Sequence, residues 1–126
     1  GRLVVVDEDH CALLGDAYRF ERSHGHTPGM LHTWIGRGPT RIFFCADLIP
    51  GVPWVHLPVT MGYDRYPEKL IDEKQAVLDA ALDSQTWLFF HHDPGIAAAR
   101  VTRDDRGRYA TFDERGDFGS GLELEL

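Results

Sequence analysis

The run Arg41-Ile42-Phe43-Phe44-Cys45-Ala46-Asp47-Leu48-Ile49-Pro50 constrains the fold of this chain more than any other stretch. Ile42 to Phe44 is short, apolar and β-favouring. Turn residues bound it on both sides, Gly36-Arg37-Gly38-Pro39 before and Pro50-Gly51-Val52-Pro53 after, so it reads as a buried strand. The strand, expected over residues 41 to 46, delivers a carboxylate at its end. A carboxylate there is costly unless it caps something, pairs with a cation or binds a metal. Two further strand-to-loop junctions carry imidazoles: Gly25-His26-Thr27-Pro28-Gly29 upstream and Phe90-His91-His92-Asp93-Pro94 downstream.

Around this strand the pattern is a β-meander followed by a helix and a hairpin. Strands are expected over residues 2 to 7, 11 to 14, 18 to 21 and 31 to 35, with residues 23 to 29 as a loop rich in residues that disfavour regular structure. Residues 48 to 66 form a long irregular segment holding Trp54, His56, Met61 and Tyr63 between prolines, and loops of that kind are usually functional. Pro67 suits the first position of a helix and Glu68 its first turn. Leu70, Ile71, Val77, Leu78, Ala81 and Leu82 then fall at helical spacing, which predicts a helix over 67 to 83. A strand over 86 to 90 and a hairpin of strands 96 to 102 and 108 to 112 follow. From Asp113 to residue 126 the chain is polar and Gly-rich, expected as a loosely held tail.

The length of 126 residues suits one small domain, and the formal charge of −7 argues against nucleic-acid and anionic-membrane partners, which require clustered Lys and Arg. No apolar run is long enough to span a bilayer. Cys11 and Cys45 form no CxxC pair, and the default is reduced thiols in a cytoplasmic protein.

Each polar residue at the junctions has two readings. His26, between glycines, is either a loop histidine bonded to its own backbone or a metal ligand projected from a tight turn. Asp47 caps a loop, or it offers two oxygens to two different cations. Strand alternation puts Cys45 on the face of Asp47, yet a small buried Cys suits that position better as core. His91 and His92, if they end a strand, point to opposite faces, so one of them at most enters a given site. His32 reads as packing, and His10 as an exposed turn residue. His56, Tyr63 and Asp64 are candidate substrate contacts or local structure, Asp64 serving equally well to start the helix at Pro67.

These elements together resemble the C-terminal half of a metallo-β-lactamase-fold hydrolase, over roughly residues 2 to 112. The resemblance implies an α/β fold: half of the family's αββα sandwich, a mixed sheet with a flanking helix. It implies that His26 and His92 are ligands of two different metals, most often zinc in this family with iron or manganese as alternatives, and that Asp47 bridges them. His92 is chosen over His91 because the family's ligand directly precedes the Asp-Pro. The family's HxHxDH motif, which supplies two ligands to each metal, does not occur in these 126 residues. The expectation is therefore a chain whose N-terminal half is missing, with the strand at its start already core material.

The implied function is metal-dependent hydrolysis of a small ester- or lactone-like molecule, with water activated between two metals and Asp47 in the catalytic role. Each metal finds only two protein ligands here, one histidine and the shared Asp47, whereas catalytic zinc usually takes three. The chain by itself is expected to hold metal weakly. Two alternatives follow: a non-catalytic binding or assembly domain that associates through its unpaired sheet with a second copy or with the missing half, or a module for a single metal.

Overall fold

The computed structural model describes every residue except Arg2, Asp7 and Ser120. Six strands form one sheet in sequence order: β1 (Tyr18–Ser23), β2 (Met30–Ile35), β3 (Ile42–Phe44), β4 (Trp87–Phe89), β5 (Ala98–Arg103) and β6 (Tyr109–Arg115). All neighbours are antiparallel except β3 and β4, which run parallel. A parallel pair needs a long crossover. Here it consists of two 3-10 turns, Ala46–Leu48 and Val52–Val55, and the helix α1 (Pro67–Ser84). The sheet is thus mixed and the fold α/β, as expected.

Register decides which side chains meet α1. Trp34, Phe43, Leu88 and Ala99 pair across β2 to β5, and this row faces the helix together with Val101 and Tyr109. From the helix, Leu70, Val77, Leu78 and Ala81 complete the buried cluster. Lys74 is fully buried in the same stripe, one turn after Leu70. Gln85 closes α1 in the left-handed conformation, its N–H bonded to Ala81 and Leu82 carbonyls. Phe20, Thr33, Phe44, Phe89 and Ala98 form the opposite row. Phe118 of the tail stacks on Phe89 at 5.9 Å between centroids.

Three expectations fail. Leu3 to Val6 form no strand, and Leu3, Val4 and Val5 are exposed; the outer residues of the expected 2 to 7 strand, Arg2 and Asp7, lie outside the described residues. β-Propensity reflects packing against neighbours, and these residues have no ladder partner. Residues 11 to 14 are a turn, in which the Leu14 and Gly15 amides both donate to the Cys11 carbonyl. The tail begins later than Asp113, because β6 continues to Arg115 past a register shift. Asp113 accommodates it with φ 52°, a left-handed value that Asp tolerates better than most residues. Both cysteines are free.

Candidate metal centre

Asp47 leaves β3 by way of an unusual backbone. Ala46 has φ 46°, a left-handed conformation that costs an L-residue about 1–2 kcal/mol, and it turns the chain into the 3-10 turn carrying the carboxylate. Cys45 is fully buried in the core, where burial pushes its thiol pKa far up, so it is inert packing and not part of a site.

The carboxylate of Asp47 sits between imidazoles. Its Oδ2 lies 3.3 Å from His26 Nε2. Its Oδ1 lies 3.1 Å from His92 Nε2 and 3.5 Å from His91 Nε2. One oxygen therefore faces each side.

His26 is held from all directions. Its Nδ1 bonds the Asp64 carboxylate at 2.8 Å, and that carboxylate, fully buried, also accepts the Met61 amide at 2.6 Å. With Nδ1 engaged by an acid, Nε2 is the nitrogen presented to Asp47, the arrangement that fixes the tautomer of metal-binding histidines. Glu73 on α1 accepts the amides of His24 and Gly25, each at 2.9 Å. The Gly25 and His26 carbonyls accept the amides of Tyr66 and Arg65. Position 25 must be glycine: a Cβ there would lie 2.4 Å from the Leu70 backbone.

His91 and His92 do not follow strand alternation, because β4 ends at Phe89 and residues 91 and 92 lie in a bend. The expectation that at most one of them enters the site is overturned: both rings face Asp47, 3.9 Å apart between centroids. Asp93 shapes this bend. Its carboxylate accepts the amides of Val52, Gly95 and Ile96, while the His92 amide donates to the Pro50 carbonyl. Burial works to raise the Asp93 pKa, and the three amides outweigh it and hold the group below the usual carboxylate range. Burial, followed by the neighbouring His92, lowers the pKa of His91 against the opposing pull of Asp47, favouring the neutral ring that ligates metal.

The donor set fits a divalent cation. One ligand atom each from Asp47, His91 and His92 lies within 4.8 Å of the others, and imidazole nitrogen with carboxylate oxygen suits zinc, iron or manganese. His26, Asp47, His92, Tyr63 and Arg65 line one cavity of about 540 Å³. His56 stands elsewhere, beside Leu57, Pro58 and Tyr109 in a separate cavity of about 340 Å³. His32 is buried against Phe43 with Ser23 Oγ at 2.7 Å, and His10 is exposed beside Asp9.

Several contributors escaped the sequence reading. Asp64 reads from the sequence as a substrate contact or a helix starter, not as the partner of His26. Glu73 looks like an ordinary helix-surface charge, and Arg65 carries no motif. Only Asp64 had a signal, a lone acid beside an aromatic ahead of Pro67.

No family model and no curated protein sequence matches the chain. Solved structures do. A probable metal-dependent hydrolase from Staphylococcus aureus superposes with TM-score 0.66 at 22% identity, over 77% of this chain and 36% of that one. AidC, a dizinc quorum-quenching lactonase in complex with a product, N-hexnoyl-L-homoserine, gives 0.65 at 22%, over 79% of this chain and 34% of that one. The hydrolase AbOPH, of the beta lactamase superfamily, gives 0.65 at 17%, over 90% of this chain and 38% of that one. At this identity the likeness establishes a shared fold, the metallo-β-lactamase-type fold expected from the sequence. The chain spans little more than a third of the length of these structures.

Proposed function

We propose that this chain carries part of the metal centre of a metal-dependent hydrolase: His26 on one side, His92 on the other, and Asp47 between them. The carrying observation is that the two oxygens of Asp47 face different histidines, at 3.3 and 3.1 Å. Similarity in fold to metal-dependent hydrolases supports the same reading. Two divalent cations, zinc first among the candidates, would supply Lewis-acid activation of water and polarisation of a carbonyl.

The protein groups do the positioning. Asp64 holds His26 with Nε2 toward the cavity, Asp93 fixes the bend that brings His92 to Asp47, and Asp47 orients the attacking water through its carboxylate. Tyr63 stands 6.0 Å from the His26 ring, edge to face, as a candidate substrate contact on the cavity wall. The substrate is a small ester- or lactone-like molecule. His56, in its separate cavity, is not assigned a contact with it.

In the zinc-loaded, full-length protein, Asp47→Ala and His92→Ala are each expected to lower ester or lactone hydrolysis by more than about a hundredfold, beyond the loss typical of outer-shell changes. Activity surviving both changes would remove the assignment.

The rival reading is an assembly or binding domain without catalysis. The observation in its favour is the sheet face away from α1, where Ile42, Phe44 and Phe89 are only half-buried and Phe112 is exposed.

A further inference from the structure

The segment Tyr63-Asp64-Arg65 places alternate side chains to opposite uses. Asp64 turns inward to His26, while Tyr63 and Arg65 line the cavity that holds His26, Asp47 and His92. Arg65 differs from most arginines of this chain. Arg103 and Arg108 are paired with Asp79 and Asp104, and Arg22 and Arg41 donate to backbone carbonyls. The Arg65 guanidinium has no ionic or hydrogen-bonded partner among the described residues and rests over the Tyr66 ring, 5.8 Å from its centroid. Its backbone is nevertheless fixed, the amide donating to the His26 carbonyl at 3.1 Å. The side chain is thus anchored one hydrogen bond from the candidate metal ligand, with five donors unused. Beside it, the Tyr63 hydroxyl donates, among the described residues, to the Met61 sulfur alone, a weak acceptor.

We propose that Arg65 is a specificity residue that binds an oxyanion on the substrate, so that the site takes esters or lactones carrying a second group that is anionic. This rests on the hydrolase reading above and names its substrate class. A planar guanidinium matches carboxylate and phosphate alike through two parallel hydrogen bonds. Among the described residues Asp47 is the one acidic side chain on the cavity wall, and it is engaged by imidazoles. The Tyr63 hydroxyl supplies a further donor to the same group.

The test uses three probes that share an amide: succinamate (carboxylate), 2-acetamidoethyl phosphate and neutral succinamide. Each is titrated into the 126-residue chain, with and without zinc, while the Arg65 side-chain Nε–H resonance is followed by NMR. One or both anions should shift that resonance and bind at least about tenfold tighter than succinamide. Which anion does so identifies the group. Arg65→Gln should abolish the difference, and Arg65→Lys should retain part of it. Equal binding of charged and neutral probes would overturn the proposal, as would an anion preference that survives Arg65→Gln. Zinc affinity measured on the same samples separates the two readings: zinc bound without anion preference sinks only the role of Arg65, whereas anion preference with no zinc bound at millimolar zinc leaves Arg65 an anion-binding residue and sinks the hydrolase reading.

Discussion

Asp64 decides how His26 can act. A buried carboxylate 2.8 Å from Nδ1 holds the ring in one orientation and one tautomer, leaving Nε2 for the cavity. Removing it in Asp64→Ala frees the ring to turn, and zinc affinity is expected to fall by about ten- to a hundredfold, measured by competition with a chelator. Unchanged affinity would mean that the loop alone orients His26. Gly25 makes a complementary case. Gly25→Ala drives a methyl into the backbone of Leu70, so the loop and α1 must separate, at about 1–3 kcal/mol in denaturant unfolding. At this scale the sequence was informative where residue type and chemistry coincide. A histidine between glycines and an aspartate at a strand end carry their chemistry openly. Asp64 does not, because its role depends on an imidazole 38 positions away in sequence, a separation no local pattern encodes. The expectation that His91 and His92 point to opposite faces failed for a related reason: strand alternation applies only as far as Phe89.

Helix α1 shows the same limit at the scale of elements. Its apolar period placed it within one residue of its observed Pro67–Ser84 span, since burial of a stripe is a property of the segment itself. The lysine within that stripe could not be anticipated. Lys74 is fully buried, donating to the carbonyls of Val59 at 2.6 Å and His56 at 3.4 Å, and it ties the irregular segment to the helix. Burial lowers its pKa to about 8 against the opposing charge of Asp64. The unfolded chain, with a pKa near 10.5, therefore binds more protons between these values. Stability from this group rises with pH from about 8 to 10.5, by about 3 kcal/mol in full. Below pH 8 both states are charged and the folded state bears the whole desolvation cost. Unfolding free energies of wild type and Lys74→Met across that window isolate the effect, and the wild type should gain on the variant as pH rises. A constant difference would place the Lys74 charge in contact with water.

For the whole molecule, the sheet is packed on one face by α1; on the other, Phe118 of the tail stacks on Phe89, and the Arg37 amide at the β2–β3 turn donates to the Glu125 carbonyl. The mixed order of the strands was legible in part. Hairpins announce themselves by turn residues, whereas the parallel join of β3 and β4 follows from the long crossover between them. The expected strand at residues 2 to 7 failed for want of a partner, a fact about the assembled sheet and not about Leu3, Val4 or Val5. The candidate metal centre likewise belongs to the assembled molecule, because the crossover brings Asp47 and His92 to the end of the sheet where the β1–β2 loop carries His26. On the His26 side Asp47 and His26 are the two protein ligands, whereas His91 and His92 make three with Asp47 on the other, so zinc on the His26 side should bind weakly and be lost first on dialysis. The central claim, that Asp47 bridges two cation positions, is tested most directly by anomalous diffraction at the zinc edge from crystals of this chain in millimolar zinc. Two peaks are predicted, one shared by Asp47 and His26 and one shared by Asp47 and His92; a single peak, or none touching Asp47, would contradict it.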